Sequence, residues 1–233
     1  MSSAIRSTNI VITGGFGALG RALAARLVAE GAQVVLLDCA PVPTDGLPSG
    51  VVLALGEVDL SDGISCTTAF DSIRSVLGGI DGLVNVAGGF VWESVESGTL
   101  ESWDRMYAMN VRTAIASCRA ALPHLLEHPA GRIVNVASMA ALKAGAGMGA
   151  YAASKSGVIR LTEALSEEFK DRGITVNAVL PSTIDTPASR ALMPDADRNR
   201  WVSLGKLAAV IAFLLSDDAS DVTGASIPVS GRL

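Results

Sequence analysis

Two kinds of apolar segment alternate along this chain. Short runs rich in valine and isoleucine, apolar on both faces, occupy residues 9–13 (NIVIT), 33–38 (QVVLLD), 51–55, 83–87 (LVNVA), 132–137 (RIVNVA), 174–180 (ITVNAVL) and 226–229. Unbroken apolarity over so few residues, with β-branched enrichment, predicts strands covered on both sides, as in a parallel sheet. Between them, residues 18–30, 65–77, 100–126, 151–171 and 204–215 read as helices. In the fourth, Val158, Leu161, Leu165 and Phe169 recur three and four apart and predict one buried stripe. Strand and helix alternate from end to end without linker, repeat or low-complexity tract. The pattern therefore predicts an α/β fold, a doubly wound, Rossmann-like parallel sheet of about seven strands, with residues 1–233 as a single domain. Residues 41–49 (PVPTDGLPS) read as a loop after the second strand.

Candidate chemistry begins where the first strand ends. Thr13-Gly14-Gly15-Phe16-Gly17-Ala18-Leu19-Gly20 leaves that strand and opens the first helix. Glycines allow a tight turn and close approach to a pyrophosphate, whose charge then faces the free N–H groups of the helix N-terminus. A glycine-rich turn alone serves any sharp reversal; the order strand, loop, helix, strand is what predicts a dinucleotide site. Asp38 ends the second strand, where a carboxylate can accept both ribose hydroxyls of an adenosine and repel a 2′-phosphate. Cys39 follows where an arginine could have bound that phosphate, and residues 14–20 hold no Lys or Arg. NAD is expected over NADP. An isolated Asp at a strand end can also simply cap a turn.

Ser138, Tyr151 and Lys155 form the most informative constellation. Ser138 lies just past the fifth strand, at the end where ligands collect in open α/β sheets. Tyr151 and Lys155 are four apart on a helix and project from one face. A free tyrosine has a pKa of about 10 and is a poor base at neutral pH. A neighbouring ammonium, with a cationic nicotinamide ring, is expected to lower that pKa. The phenolate then takes the proton of an alcohol as the hydride leaves its carbon, and the phenol returns it in the reverse direction. Ser138 would hold the substrate oxygen.

These motifs together resemble the short-chain dehydrogenase/reductase family over essentially the whole chain. The resemblance rests on TGGFGALG (13–20), NVAG (85–88), the spacing from Ser138 to Tyr151, YAASK (151–155) and PSTIDT (181–186). It implies a catalytic set of Asn110, Ser138, Tyr151 and Lys155, in which Asn110 kinks its helix and holds a relay water and Lys155 also binds the nicotinamide ribose. It further implies a cofactor set of Gly14, Phe16, Leu19, Gly20, Asp38, Asp59, Leu60, Asn85, Ala87, Gly88, Tyr151, Lys155, Ile184 and Thr186. Three positions depart from the family pattern: Ala18 replaces a glycine, Ser182 follows Pro181 where glycine is usual, and the lid around 187–201 is short. The expected function is NAD-dependent interconversion of a secondary alcohol and a ketone. The alternatives are a 3-oxoacyl-thioester reductase of the acyl-carrier-protein type and a catalytically silent NAD-binding protein. Residues 125–131 carry no Lys or Arg to dock an acidic carrier, which counts against the first. The retained tetrad counts against the second.

Composition narrows the rest. With 49% hydrophobic and 18% charged residues, disorder and a coiled coil are excluded. The longest clean apolar run, residues 207–215, is far too short for a membrane span. The net charge is −5 with no Lys/Arg cluster, which excludes a nucleic-acid partner. Residues 1–10 lack the apolar core of a secretory signal, so a cytoplasmic location is expected. Cys39, Cys66 and Cys118, odd in number and widely spaced, read as small buried side chains. His124 and His128 are four apart, but no third ligand completes a metal set, and no metal is expected. Met106 and Met109 read as core, while Met139 and Met148 read equally as core or cleft lining. Trp92 and Trp201 are either pocket walls or half-buried aromatics, and Arg190, Arg198 and Arg200 read as solvated. The candidate cleft segments are apolar with small residues, which suits an uncharged, fairly apolar substrate. Relatives pair across the long third and fourth helices, so a homodimer or homotetramer is expected.

Overall fold

A computed structural model describes residues 5, 8–127 and 130–233. Seven parallel strands, β1 (Asn9–Thr13), β2 (Gln33–Leu37), β3 (Val51–Leu55), β4 (Gly82–Asn85), β5 (Arg132–Val136), β6 (Thr175–Pro181) and β7 (Ser226–Val229), form one sheet in the order β3-β2-β1-β4-β5-β6-β7. Thr13 lies level with Leu37 on one side and Asn85 on the other. Three strand ends therefore open together at the carboxyl edge. Strands β2, β4 and β5 stop one or two residues before the apolar runs do, because Asp38, Val86 and Ala137 already turn out into the loops at the carboxyl edge.

Alternation along each strand divides the core. Ile10, Ile12, Val34, Leu36 and Val84 face α1 (Ala18–Ala29) and α7 (Leu204–Leu215), whose Leu23, Leu27, Leu207 and Ile211 complete that layer. Val11, Val35, Leu37, Leu83 and Ile133 face α2 (Gly63–Leu77), α4 (Thr113–Leu125) and α5 (Gly149–Phe169), meeting Phe70, Ile73, Cys118 and Leu165. Among the described residues, no helix is long and apolar enough to cross a membrane.

The long third helix expected over 100–126 is instead three pieces: α3 (Leu100–Tyr107), a π-helical turn (Ala108–Arg112), and α4. Asn110 sits inside the wide turn and spends its amide on Gly89, donating to its carbonyl at 3.1 Å and accepting its N–H at 3.0 Å. Periodicity cannot register such a turn, since one extra residue merely shifts the apolar stripe. A further helix, α6 (Pro187–Leu192), lies inside the expected lid, capped by Thr186 with Pro187 in its first turn. Six residues are too few to show a period. The segment's feet are joined by a parallel bridge between Ile184 and Val202.

A buried polar ladder crosses the sheet beneath the site. The Ala87 N–H donates to Thr13 Oγ1, which also lies 3.4 Å from Asn85 Oδ1. Asn85 Nδ2 donates to Asn135 Oδ1 at 2.9 Å, and Asn135 Nδ2 donates to Thr162 Oγ1 at 2.9 Å, linking β1, β4, β5 and α5. Buried amides are tolerated only when satisfied. Asn135→Ala should therefore destabilise the protein by about 1–3 kcal/mol, the cost of an orphaned Asn85 amide, read as a lower urea midpoint with an unchanged m-value.

Candidate active site

The sheet changes winding direction between β1 and β4, and the crevice above that point is where α/β sheets bind ligands. Gly14 makes the turn out of β1 with φ +64°, and a Cβ there would lie 2.7 Å from the Ala87 backbone nitrogen. A Cβ on Gly20 would lie 2.5 Å from the Gly14 carbonyl. Only glycine permits this close seating of α1 on the turn. Ala18, by contrast, is the first residue of α1 behind the Gly17 cap, so its methyl sits on helical backbone without strain. Asp38 receives the Phe16 N–H at 3.0 Å on one carboxylate oxygen and the Ala40 N–H at 3.1 Å on the other, which aims the group at the crevice mouth. Arg21, which sequence reasoning passed over, donates to the Phe16 carbonyl at 2.7 Å and to the Gly46 carbonyl at 3.2 Å, tying the 41–49 loop to the glycine turn.

Not every expected cofactor residue offers a side chain. Those of Phe16 and Leu19 are buried under α1, and that of Leu60 packs with Cys66 and Phe70. Asp59 accepts the Ser61 hydroxyl and N–H, bonds that hold its carboxyl below the ordinary range. Gly88 leaves no room for a side chain between Asn110 Oδ1 and Lys155 Nζ. Ile184 lies in the bridge at the foot of the lid, and Thr186 Oγ1 accepts the Ser189 N–H at 3.1 Å. Ser182 keeps the turn expected of a glycine, donating its hydroxyl to the Ser230 carbonyl at 2.7 Å.

Ser138, Tyr151 and Lys155 meet where β5 gives way to α5. Ser138 Oγ accepts the Ala140 N–H at 3.1 Å, which leaves its own proton to donate, and it lies near enough to the Tyr151 phenol to pull that group's pKa down. Lys155 is only 5% exposed, and its ammonium donates to the Val136 carbonyl at 2.8 Å. Burial brings its pKa down to about 8. The expected lowering of the Tyr151 pKa is not what the chain's own groups produce. Burial pushes that phenol up, and the nearby Ser138 hydroxyl only partly counters it. The reason is that desolvation penalises phenolate and ammonium alike, while the ammonium is turned to Val136 rather than paired with the ring. Asn110 Nδ2 also donates to Ser154 Oγ at 3.0 Å, and Ser154 Oγ donates to the Tyr151 carbonyl at 2.7 Å. Asn110 thus joins the Gly89 turn to the helix bearing Tyr151.

One aromatic ring borders that of Tyr151. The Phe90 ring stands perpendicular to that of Tyr151 with centroids 4.9 Å apart, a contact without a spacing signal in the sequence. Trp92 is exposed and Trp201 buried, Met139 and Met148 are half-buried, and Met106 is core. Met109 was expected in the core but is partly exposed, because the π-turn rotates it out toward Gly89. Arg190 is exposed, as expected, and pairs at the surface with Asp185, donating at 2.6 and 2.9 Å. Arg200 donates to the Arg232 carbonyl and Arg198 to that of Pro194. Of the cysteines, Cys39 is exposed at the end of β2, contrary to expectation. Burial pushes the Cys66 thiol up to about 11 and that of Cys118 up to about 12. His124 Nε2 lies 3.3 Å from Asp71 Oδ1, and His128 lies outside the described residues. Among the described residues, no group of three or more His, Cys, Asp or Glu could hold a metal. A depression of about 530 Å³ between α2 and α4, lined by Ser61, Thr67, Tyr107, Arg112 and Arg119, contains none of the tetrad.

Known proteins share this fold. Residues 8–197 match the family model of the short chain dehydrogenase. Meso-2,3-butanediol dehydrogenase of Serratia marcescens is 37% identical, covering 95% of this chain and 92% of its own. A short-chain type dehydrogenase/reductase from Mycobacterium ulcerans superimposes with a TM-score of 0.91 at 26% identity, over 98% of this chain and 90% of its own. Carveol dehydrogenase from Mycobacterium avium, solved in complex with NAD, gives 0.85 at 27% identity over 99% and 98%. Whole-length similarity of sequence and fold, added to a glycine turn and a serine, tyrosine and lysine gathered at one sheet edge, places this chain in the short-chain dehydrogenase/reductase family.

Proposed function

We propose that the chain is an NAD-dependent oxidoreductase interconverting a secondary alcohol and a ketone, with Asn110, Ser138, Tyr151 and Lys155 as its catalytic set. The observation that carries this reading is the largely buried Tyr151 phenol, its pKa influenced by the nearby Ser138 hydroxyl, on the same helix and one turn before the buried Lys155 ammonium. In oxidation the carbinol carbon gives up a hydride and the hydroxyl gives its proton to Tyr151 Oη. Reduction returns the proton from the same oxygen. Ser138 donates to the substrate oxygen through its hydroxyl proton, with the oxygen held in place by the Ala140 N–H. Lys155 holds a buried positive charge one helical turn from Tyr151, and Asn110 fixes the Gly89 turn against α5. A relative named for meso-2,3-butanediol supports a secondary alcohol as substrate.

The residues fit a dinucleotide. The cradle that a Cβ at Gly14 or Gly20 would fill is the approach a pyrophosphate needs, and Asp38 presents a carboxylate where an adenosine ribose would lie. Gly14, Gly20, Asp38, Ala87 and Gly88 would hold the adenosine half, with backbone contributions from Phe16 and Leu19; Asp59, Leu60 and Asn85 frame it. Lys155, Tyr151, Ile184 and Thr186 would hold the nicotinamide half. When bound, the nicotinamide supplies the hydride acceptor or donor. The Asp38 charge favours NAD over NADP.

Residues 1–233 are proposed to act as one domain in the cytoplasm, with 187–201 as the substrate lid. Copies are proposed to pair through α3, α4 and α5. A shallow groove of about 340 Å³ lined by Trp103, Tyr107, Val111, Ala150, Ala153 and Gly157 supports that face.

Tyr151→Phe should lower kcat for alcohol oxidation by at least about 10³-fold while leaving NADH affinity within threefold, measured by steady-state kinetics and fluorescence titration. Because burial raises the phenol pKa, the base form accumulates only as pH rises. Oxidation kcat/KM should therefore climb through the alkaline range while ketone reduction falls, and a flat oxidation profile would remove Tyr151 from the role. Asp38→Ser should cut the NAD-to-NADP ratio of kcat/KM by about tenfold or more, since it removes a charge facing the 2′ position. Ala153→Arg, at an exposed site on the groove, should shift sedimentation from oligomer to monomer.

A further inference from the structure

Two aromatic side chains of the segment after β4 are not absorbed into the core, one of them against the phenol and the other against the arm that leads to it. Phe90 is 42% exposed although its ring meets Tyr151 edge to face at 4.9 Å. An open hydrocarbon surface thus adjoins the group that exchanges the substrate's proton. Trp92, two residues on, is 65% exposed, yet it is held firmly. Its indole N–H donates to the Ala146 carbonyl at 3.0 Å, and the adjoining Glu93 N–H donates to the Gly147 carbonyl at 2.8 Å. Gly147 has φ +73°, and a side chain there would run into the indole ring, so the glycine forms the seat of the tryptophan. Both tethers join the segment after β4 to the arm that leads through Gly149 into Tyr151.

A large ring left in water gains nothing from the hydrophobic effect, and fixing it removes the freedom that would favour its exposure. A ring whose one polar atom is satisfied and whose orientation is set is instead suited to receive an apolar group. The charge nearby agrees: residues 86–92 carry no charged side chain, and Lys143 is the only one between Ser138 and Tyr151. We infer that Phe90 and Trp92 form an aromatic wall of the substrate cleft that selects secondary alcohols bearing a ring on the carbinol carbon over small acyclic ones. The inference rests on the oxidoreductase reading and adds to it the class of substrate.

The test compares two probes with NAD, 1-phenylethanol and 2-butanol, through the ratio of their kcat/KM values. The wild-type ratio should favour the aryl alcohol. Phe90→Leu and Trp92→Ala should each lower the ratio by about tenfold, the discrimination that one apolar contact surface affords. Trp92→Phe, which keeps an aromatic face, should retain most of it. NADH titration of each variant verifies that the fold and cofactor site survive. Activity on 2-butanol with none on 1-phenylethanol would overturn the inference and leave the oxidoreductase reading standing. Variants that slow both alcohols equally would also overturn it, making the two rings structural. So would a Trp92→Phe loss as large as that of Trp92→Ala, which would assign the effect to the Ala146 hydrogen bond. Turnover of neither probe, nor of any other alcohol or ketone, would overturn both together.

Discussion

A lysine ammonium kept almost wholly out of water is the constraint around which the rest of this structure is arranged. Desolvating such a charge is costly, and the lone carbonyl of Val136 offsets only part of it, which is why the pKa falls to about 8. A protein would have no reason to keep a cation there for stability. The position makes sense if negative charge arises nearby during a reaction, on the phenol one turn earlier. On the proposed reading, the buried ammonium, the raised phenol and the nearby Ser138 hydroxyl would be three settings of one proton-transfer device rather than separate features.

That device depends on its floor. The glycine turn after β1 and the turn after β4 press so closely that the Gly14 position excludes a side chain, and the Thr13, Asn85 and Asn135 ladder holds the two turns level. From the other side, Asn110 grips both polar atoms of Gly89 and reaches Ser154 in α5. The π-turn is what brings Asn110 off its helix axis far enough to do so. Backbone from β4 and side chains from α5 are thereby set in one frame before any ligand arrives.

Much of this was legible in the sequence, for identifiable reasons. Strands apolar on both faces and helices with a stripe leave strong periodic marks, so all seven strands and the core-facing helices lie within a few residues of where the pattern puts them. The grouping of Ser138, Tyr151 and Lys155 was legible because one strand end and one helical turn suffice to assemble it. What escaped was aperiodic or long-range. The π-turn displaced Met109, α6 was too short, and the contacts of Arg21 with Gly46 and of Phe90 with Tyr151 join residues whose separation carries no pattern. The sign of the Tyr151 shift escaped for a different reason. Spacing reveals a nearby cation but not how dry the surroundings are.

The segment from Ile184 to Val202 is fastened at both feet. Its stems share a bridge, Ser182 is bound to Ser230, and Arg200 and Arg232 clasp each other's backbone through a carbonyl, an amide and a guanidinium. A span moored in this way is shaped as a handle and not a flap, with both of its stems tied to neighbouring backbone. With both stems pinned, any freedom of shape in this segment is left to its crown around α6, a helix of only six residues.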